Sequence, residues 1–319
     1  MSDNHHNPGM PLDLSWVMSA HVNRSAAERR VATLTKRRSI KKEWQAAWLL
    51  KAISMMDLTT LEGFDTPGRV YRLGAKAKQP VRQDILDALG MGDRDLNVAA
   101  VCVYPNRVRD AVRAVHGSDI PVAAVAPGFP SGQVPVEMQL EEIEKAIEAG
   151  AAEIDIVISR EHVHTGNWEQ LYDEVRAYRQ ACGESAHMKT IIETGELGTL
   201  TNVYRASLVS MMAGSDFIKT STGKAKSNAT LPVGLVMVRA IRDYYERTGY
   251  MVGFKPAGGI STAKDALNWL VLIKEELGDR WLTPELFRFG ASSLLGDIER
   301  QLSHHVTGRY ASSKYMPMP

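Results

Sequence analysis

The sequence contains few cysteines, no long apolar run and almost no net charge, and each of these absences excludes a class of protein. Cys102 and Cys182 are the only cysteines in 319 residues, which is too few for a disulfide framework and fits a reducing compartment. No stretch approaches the roughly 18 consecutive apolar residues of a membrane span, and the N-terminus has no cationic start followed by an apolar run. We therefore expect neither a membrane protein nor a signal peptide.

The charge balance argues against nucleic acids and anionic membranes as partners. A formal net charge of +1 gives no overall field that would favour nucleic acids or an anionic membrane. Hydrophobic residues make up 44% of the chain and charged residues 24%, which are the proportions of a soluble globular protein. We expect a cytoplasmic protein that binds neither nucleic acids nor membranes.

Short apolar runs alternate with amphipathic segments along most of the chain. The runs cover residues 53–57, 98–104, 121–126, 153–158, 187–193, 216–220, 251–257 and 286–290. Near-continuous apolar runs separated by helices are typical of parallel strands covered on both faces, and eight of them favour a closed (β/α)8 TIM barrel of the α/β class. The alternation alone also fits a doubly wound sheet, but no G-x-G-x-x-G follows the first run.

The chain ends differ from the barrel in composition. We predict a disordered tail at residues 1–12, which are polar and contain proline and glycine, and a helical extension at 13–52. The barrel is expected to occupy residues 53–303, followed by a C-terminal tail at 304–319.

Two lysines stand at the ends of apolar runs. Lys219 closes the sixth run in DFIKTSTGK, and Lys255 closes the seventh in GFKPAGG. Barrel active sites form at the carboxyl ends of the strands, and neighbouring strands lie about 4.8 Å apart, so the two amines are expected to be close. Like charges in a partly dry site repel each other, so one lysine is expected to lose its proton readily. The alternative is that both lysines extend to solvent or pair with carboxylates.

Proton loss matters because a neutral lysine amine attacks carbonyl groups and forms a Schiff base. Free lysine has a pKa near 10.4, so roughly 1 in 2500 is neutral at pH 7. Lowering the pKa to about 7 requires roughly 4.6 kcal/mol, which burial and an adjacent cation can supply. The pattern therefore predicts Schiff-base chemistry at these lysines.

Two aspartates stand in or next to apolar runs. Asp155 interrupts the fourth run, EIDIVI, and a buried carboxylate is rare without a partner. We expect it to hold a lysine charge and to move protons during imine chemistry. Asp57 ends the first run in MMDLTT, where it either caps the following loop or supports catalysis.

The loops after the seventh and eighth runs contain PAGG and GASS. Barrels frequently bind phosphate with these two loops and a helix N-terminus, because glycines let backbone N–H groups approach an anion. The TSTGK segment after the sixth run can close the other side. The candidate phosphate contacts are Thr222, Gly223, Lys224, Gly258, Gly259, Ser292 and Ser293.

The segments MDLTTL, AVCVYP, AGAAEIDIVI, KTIIETGEL, DFIKTSTGK, GFKPAGGI and FGASSL closely resemble those of the deoxyribose-phosphate aldolase family. They follow the family's order from about residue 55 to 300, and the N-terminal extension is similar to that of the longer, animal-type members. The resemblance implies a class I aldolase on a TIM barrel, without metal or cofactor. Such an enzyme cleaves 2-deoxy-D-ribose 5-phosphate reversibly to D-glyceraldehyde 3-phosphate and acetaldehyde in deoxyribose phosphate catabolism. The implied partners are phosphosugar and aldehyde substrates, and a homo-oligomer is left open.

The resemblance also implies residue roles. Lys219 matches the family's Schiff-base lysine, Lys255 its activating lysine and Asp155 its proton-relaying aspartate. The positions near the reacting sugar are Asp57, Thr59 and Cys102, with Lys224 near the substrate. The residue itself predicts a small buried strand position for Cys102, and its place in the family site leaves reactivity towards electrophiles as the alternative.

The C-terminal tail departs from part of the family. Bacterial-type members end in a tyrosine that reaches the site, whereas this chain ends GRYASSKYMPMP. The resemblance leaves open whether Tyr310 or Tyr315 takes that place.

Two other functions fit parts of the sequence. One is another Schiff-base barrel, such as a transaldolase or a different phosphosugar aldolase, and the other is a catalytically inactive scaffold. The presence of Lys219, Lys255 and Asp155 together argues against the scaffold. His162 and His164 have no cysteine or aspartate partner at metal spacing, so we predict no metal site.

Overall fold

Eight parallel strands alternate with helices along the chain, and each strand overlaps one of the predicted apolar runs. The computed structural model describes residues 6–37, 40–316 and 318. The strands are β1 (Met56–Thr59), β2 (Ala100–Val103), β3 (Val122–Val125), β4 (Glu153–Val157), β5 (His187–Ile191), β6 (Phe217–Lys219), β7 (Gly253–Lys255) and β8 (Phe289–Ala291). The helices are α1 (Leu14–Ser19), α2 (Arg24–Arg37), α3 (Lys42–Ser54), α4 (Pro67–Lys78), α5 (Gln83–Ala88), α6 (Val108–Val115), α7 (Val136–Glu148), α8 (Arg160–Thr165), α9 (Trp168–Cys182), α10 (Leu200–Met212), α11 (Leu231–Thr248), α12 (Ala263–Glu276) and α13 (Ser293–Thr307).

The strands form one parallel sheet in the order β7-β6-β5-β4-β3-β2-β1-β8. Its two edges meet through isolated parallel bridges between Phe254 and Phe287 and between Ala257 and Gly290. The Phe254 N–H donates to the Leu286 carbonyl oxygen at 2.9 Å, which joins the same two edges. The Arg288 N–H donates to the Phe254 carbonyl oxygen at 3.1 Å and the Gly290 N–H to the Pro256 carbonyl oxygen at 2.9 Å across the same seam between β7 and β8. The sheet therefore closes into a (β/α)8 barrel, as the sequence predicts.

Burial on both faces explains why the runs are almost continuously apolar. In β4, Ile154 and Ile156 are fully buried in the main apolar core. Asp155 lies between them and takes part in ion pairs inside the barrel, because successive strand residues point to opposite faces. The inner face of the strand thus carries charged side chains inside the barrel, and the surrounding helices cover its apolar outer face.

Helix ends follow local signals in the sequence. The Thr66 side chain accepts the Arg69 N–H at the start of α4, and Pro67 occupies the first turn, where no N–H is needed. Thr262 and Asp265 form a capping box at the start of α12, which directly follows the loop after β7. These signals fix where the loops at the carboxyl ends of the strands stop.

Three predicted boundaries shift. Helix α3 continues through Ser54, so β1 begins three residues later than the first apolar run, since a run of apolar residues does not distinguish a buried helix end from a strand. Strand β8 covers Phe289–Ala291 rather than 286–290. Helix α13 runs to Thr307, so the predicted start of the C-terminal tail at residue 304 falls inside a helix.

The prediction of disorder at residues 1–12 is wrong for residues 6–12. Asn7 is 2% exposed, and its side-chain amide donates to the carbonyl oxygens of Met211 and Ser215 at 2.8 and 2.9 Å. Its backbone N–H donates to Asp216 Oδ1 at 2.7 Å. These hydrogen bonds, together with Met10 and Leu12 packing on the core, order a largely polar segment, which composition does not reveal. Residues 1–5 of that prediction lie outside the described residues.

The predicted helical extension contains α1, α2 and α3. Helix α2 packs on α11 and α12, and α3 packs on α12 and α13, so the extension covers the outer helices of the barrel. Across the described ranges, no helix combines the length and the apolar character that crossing a membrane requires.

Candidate active site

Lys219 and Lys255 end neighbouring strands at the same height. They are register partners across β6 and β7, as expected from their positions at the two strand ends. Both are buried, at 3% and 0% exposure. Asp155 Oδ2 lies 2.8 Å from each of the two lysine Nζ atoms. The expected approach of the two amines is therefore present, with one carboxylate oxygen between them.

Four further charged residues extend this cluster. Asp57 Oδ2 lies 2.5 Å from Lys255 Nζ, and Asp57 Oδ1 accepts from Arg288 at 2.7 Å. Arg288 also donates to Glu153 Oε1 at 2.9 Å, and Glu153 Oε2 lies 2.5 Å from Lys189 Nζ. Lys189 closes the network with a 3.1 Å contact to Asp155 Oδ1. Asp57 is thus an ion-pair partner inside the barrel, and not a cap of the following loop.

Sequence reasoning missed Glu153, Lys189 and Arg288. Each is a buried charged residue in or next to an apolar strand, the same signal that identified Asp155. Glu153 is two residues before Asp155 and so points to the same side of the sheet. Lys189 is the register partner of Asp155 across β4 and β5. Spacing within one run could have indicated Glu153, whereas the other two require the register between strands.

The two lysines differ in protonation. Burial lowers the pKa of Lys219, and the positive charge of Lys255 lowers it further, so that the attraction of Asp155 does not restore the ordinary value. Burial also disfavours the charged form of Lys255, but Asp155 and Asp57 outweigh it and raise the pKa of Lys255 above its usual range. Lys219 is therefore the amine that is more easily neutral, and Lys255 stays an ammonium.

The aspartates remain ionised. Burial alone would raise the pKa of Asp155, but Lys189, Lys219 and Lys255 together hold it well below its ordinary value. Burial likewise opposes ionisation of Asp57, and Lys255 and Arg288 overcome it. When Lys219 is neutral, the charges of the cluster balance. Its three carboxylates then face three cations, which are Lys189, Lys255 and Arg288.

Cys102 lies on β2, across the barrel from the two strands that end in the lysines. It is 1% exposed and is the register partner of Thr59 across β1 and β2. Burial raises the pKa of its thiol, because the lowering by Lys255 and Lys219 is opposed by Asp155 and Asp57 and does not offset the burial. A thiol that stays protonated is a poor nucleophile, so the geometry favours a packing position for Cys102.

A cleft of 740 Å³ opens at the carboxyl ends of the strands. The sequence-predicted residues that line it are Thr59, Lys219, Thr222, Gly223, Lys224, Gly258, Gly259, Ser292 and Ser293. The other predicted site residues, Asp57, Cys102, Asp155 and Lys255, are buried behind Lys219. The structure thus brings all of them to one end of the barrel.

The loops of this cleft have backbone conformations suited to an anion. Gly223 and Gly258 both have φ of +83°, and a Cβ on Gly258 would lie 2.7 Å from the Asn228 Cβ, so a side chain does not fit there. Ser292 precedes the first residue of α13, Ser293, whose N–H is among the unpaired donors of a helix N-terminus. The arrangement offers N–H donors to a phosphate from two adjacent loops.

Glu193 supports the third loop and was not singled out by the sequence. It has φ of +51°, a left-handed conformation that is uncommon for glutamate, and it is 1% exposed. Its Oε2 accepts the Thr222 N–H at 3.0 Å, and the Thr222 hydroxyl accepts the Lys224 N–H at 3.1 Å. Lys224 Nζ lies 3.2 Å from Glu62 Oε1 at the edge of the cleft.

Neither tail tyrosine lines the cleft. Tyr310 is 58% exposed and stacks on His304, and Tyr315 is 66% exposed. Met316 and Met318 line the cleft instead. The tail does reach the site, but it presents thioether side chains there.

One histidine cluster lies far from this cleft, at the amino-terminal ends of β5 and β6. His6, His187 and Asp216 have ligand atoms within 4.8 Å of one another, and they are the only such group of three or more among the described residues. Asp216 Oδ2 already accepts from Arg179 at 2.7 Å and from the Met188 N–H at 2.8 Å. A metal ion at this cluster would have to compete with the Arg179 guanidinium for the Asp216 carboxylate.

A family model described as DeoC/LacD family aldolase matches residues 51–297, the range that contains every residue of the cleft except parts of the last helix and the tail. The chain belongs to this aldolase family. The match extends from the last turns of α3 into the first turns of α13, so the family region is the barrel itself.

Similar proteins cover nearly the whole of this aldolase. A deoxyribose-phosphate aldolase of Homo sapiens is 62% identical over 315 residues, which is 98% of this chain and 99% of the relative. One of Mus musculus is 64% identical over the same shares of the two chains. These relatives include the N-terminal extension as well as the barrel.

Solved structures share the fold at lower identity. A structure from Toxoplasma gondii ME49 has a TM-score of 0.70 at 20% identity and covers 86% of this aldolase and 100% of that chain. A deoxyribose phosphate aldolase from Aeropyrum pernix, described as having a unique tetrameric structure, has a TM-score of 0.61 at 22% identity. It covers 88% of this aldolase and 99% of that chain.

Proposed function

We propose that this aldolase cleaves 2-deoxy-D-ribose 5-phosphate reversibly to D-glyceraldehyde 3-phosphate and acetaldehyde, with Lys219 forming a Schiff base. The observation that carries the proposal is the unequal pair of lysines. Lys219 faces the cleft and has a lowered pKa, while Lys255 lies behind it and has a raised pKa. The activity named for the human and mouse relatives supports the same substrate.

The first half of the reaction forms the imine. The neutral Lys219 Nζ attacks C1 of the open-chain aldehyde, and the carbinolamine loses water to give an iminium. Asp155 Oδ2, 2.8 Å from Nζ, orients the amine and stabilises the positive charge that develops there. Lys255 remains protonated on the other side of the same oxygen and can donate a proton to the departing hydroxyl through solvent.

The second half breaks the bond between C2 and C3. The C3 hydroxyl loses its proton to the Asp155–Lys255 pair through solvent, the C2–C3 electron pair moves to the iminium, and an enamine remains on Lys219. D-Glyceraldehyde 3-phosphate leaves as the aldehyde. The same pair returns a proton to C2, and water then hydrolyses the imine, which releases acetaldehyde and neutral Lys219.

The phosphate end of the substrate is held at the three loops. Backbone N–H groups at Gly258 and Gly259 and the N-terminal amides of α13 at Ser292 and Ser293 surround the phosphate oxygens. Lys224 at the cleft edge adds a positive charge. This placement fixes the sugar so that C1 lies over Lys219, which converts binding energy into orientation.

The test is borohydride reduction in the presence of acetaldehyde, followed by peptide mass spectrometry. Reduction of the imine would leave an ethyl group on Lys219, which establishes the nucleophile and the two-carbon donor together. The matched controls are Lys219→Met, which should take up no label at this peptide, and Lys224→Met, which should still be labelled because its amine takes no part in imine formation.

The other outcomes separate the alternatives. An ethyl group on Lys255 would reverse the roles of the lysines. Labelling by another carbonyl donor but not by acetaldehyde would indicate a different Schiff-base aldolase or a transaldolase. No label on either lysine, with no cleavage of the sugar phosphate, would leave the scaffold function.

We also propose a cytoplasmic, catabolic role in deoxyribose phosphate breakdown and assembly into a homo-oligomer. The free, buried thiols of Cys102 and Cys182 suit a reducing compartment. The assembly follows the tetramer described for the Aeropyrum pernix relative. Light scattering on the purified chain tests the oligomer, and a mass equal to one chain would contradict it.

A further inference from the structure

Arg300 is one of the cationic side chains that line the cleft. It lies on α13, its Nε is buried, and that nitrogen has no hydrogen-bond acceptor among the described residues. The Nε of Arg69 also lacks a hydrogen bond of good geometry, but Arg69 and the other cationic side chains of the cleft have carboxylate counter-ions. Lys219 pairs with Asp155, Lys224 with Glu62 and Arg69 with Asp65. A buried guanidinium donor without an acceptor is unfavourable, which indicates that a ligand supplies the acceptor.

The position of Arg300 on α13 relates it to the phosphate loops. It is seven residues after Ser293, or two turns, so both residues lie on the same side of the helix about 10.5 Å apart along the axis. Long side chains in a helix point back toward its N-terminus. The Arg300 guanidinium is therefore directed over the preceding turn, toward the N-terminal amides of α13.

The preceding turn leaves that path open. Gly296, four residues before Arg300, has no side chain and also lines the cleft. The tail lies against it, since a Cβ on Gly296 would be 3.6 Å from Met318 Cγ. Asp297 Oδ2 accepts the Ala263 N–H at 2.8 Å, which engages this carboxylate with the start of α12. An apolar cover over the groove excludes water and strengthens a charged hydrogen bond inside it.

We propose that Arg300 is an additional phosphate-binding residue of the cleft, which donates guanidinium N–H groups to the outer oxygens of the substrate monophosphate. It rests on the proposed function, because it assigns a residue to the phosphate of that substrate. Guanidinium matches the planar two-oxygen face of a phosphate, so Arg300 selects phosphorylated sugars over the free sugars.

The experiment compares steady-state kinetics on 2-deoxyribose 5-phosphate and on unphosphorylated 2-deoxyribose. In Arg300→Met, kcat/KM for the phosphorylated sugar should fall about 10- to 100-fold, mainly through KM, because a hydrogen bond to a charged group is lost. The value for 2-deoxyribose should stay within about twofold of the wild type. Arg300→Lys should recover part of the loss, and inorganic phosphate should inhibit Arg300→Met more weakly than the wild type.

Arg69→Met is the matched control. It removes a cation from the same cleft, but Arg69 already has Asp65 as a counter-ion at 3.2 Å. The preference for the phosphorylated sugar should change little. An equal loss in Arg69→Met would overturn the proposed contact in favour of a general electrostatic effect. Equal losses on both sugars in Arg300→Met, or none, would also overturn it.

Acetaldehyde trapping separates this proposal from the one on which it rests. Acetaldehyde carries no phosphate, so Lys219 should be labelled equally in the wild type and in Arg300→Met, which also checks that the variant is folded. If the wild type is not labelled, the proposed function fails. If both are labelled and the phosphate preference persists in Arg300→Met, only the assignment of Arg300 fails.

Discussion

Asp155 Oδ2 lies 2.8 Å from the amines of both Lys219 and Lys255, yet the two lysines differ in their remaining contacts. Lys255 has Asp57 as a second carboxylate at 2.5 Å, and Lys219 faces the cleft. Two residues of the same type, at matching strand ends, are thereby set to opposite protonation states. The sequence predicts the pair, but which amine is neutral depends on Asp57, whose position across the barrel no spacing reveals.

Replacing Lys255 tests how the neutral lysine arises. In Lys255→Leu, the nearby positive charge is lost and Asp155 Oδ2 pairs with Lys219 alone, while Lys189 stays on Oδ1, so the pKa of Lys219 should rise. Since only the neutral amine reacts, the acid limb of the kcat/KM–pH profile should move to higher pH by about 1–3 units. Profiles measured between about pH 5 and 10 check this, with Lys224→Met expected to shift less. An unmoved limb with lower kcat would mean that Lys255 acts only on the substrate.

In the charge network around the lysines, removing one charge should lower stability more than removing a pair of opposite charges. Arg288→Met leaves Asp57 and Glu153 without their shared cation and should lower the free energy of unfolding by about 3–5 kcal/mol. Glu153→Gln combined with Arg288→Met removes one charge of each sign, so it should cost less than the sum of the single losses. Urea unfolding of the four proteins measures the coupling. Additive losses would show that the two residues do not act as one network.

At the scale of elements, the eight strands were predictable because a parallel strand buried on both faces is apolar throughout. Lengths were less so. Helix α3 and the following strand share apolar composition around residues 53–55, where periodicity gives no boundary. The loops at the carboxyl ends of β7 and β8 were predicted as phosphate contacts from their glycines and serines. Arg300 was not predicted as a phosphate contact, because the sequence does not show that α13 directs this residue toward those loops.

Gly258 and Gly259 provide a matched test of the loop after β7. Both have positive φ, but a Cβ on Gly258 would meet Asn228 at 2.7 Å, whereas a Cβ on Gly259 has no atom within 4 Å. Both alanine variants bear the cost of the left-handed backbone, about 1–2 kcal/mol. Gly258→Ala should in addition displace the loop and raise KM for the phosphorylated sugar at least about tenfold more than Gly259→Ala. Equal KM values would show that the close approach to Asn228 does not set the loop.

At the scale of the whole molecule, the two chain ends reach opposite ends of the barrel. The segment around Asn7 binds at the amino-terminal end of β6, and Met316 and Met318 line the cleft at the carboxyl ends. Composition predicted neither contact, since a short polar segment and an isolated methionine carry no periodic signal. Both depend on a surface that other elements create.

Removing the Asn7 side chain should affect stability without affecting catalysis. Asn7→Ala removes the amide donor from the buried carbonyl oxygens of Met211 and Ser215, of which the Met211 oxygen keeps only the Gly214 N–H, and this should cost about 2–4 kcal/mol. Asn23→Ala removes one exposed hydrogen bond, to the Ala26 N–H, and should cost about 1 kcal/mol or less. Urea unfolding gives the difference, and kcat at a temperature where both variants are folded should match the wild type. A changed kcat in Asn7→Ala would instead show that the amino-terminal end of the barrel affects catalysis in the cleft at the other end.

The seam between β7 and β8 lies between the two proposed phosphate loops, so a bound phosphate would connect its two sides. Three backbone hydrogen bonds join the two edges, and the proposed phosphate loops follow one strand on each side of them. A phosphate bound by both loops spans the seam and should stabilise its closed form. The amide hydrogens of Phe254, Arg288 and Gly290, which donate across the seam, should therefore exchange with deuterium more slowly when inorganic phosphate is bound. Exchange at the β3–β4 pair, on the other side of the barrel, should be unaffected. The substrate would then complete the barrel that binds it.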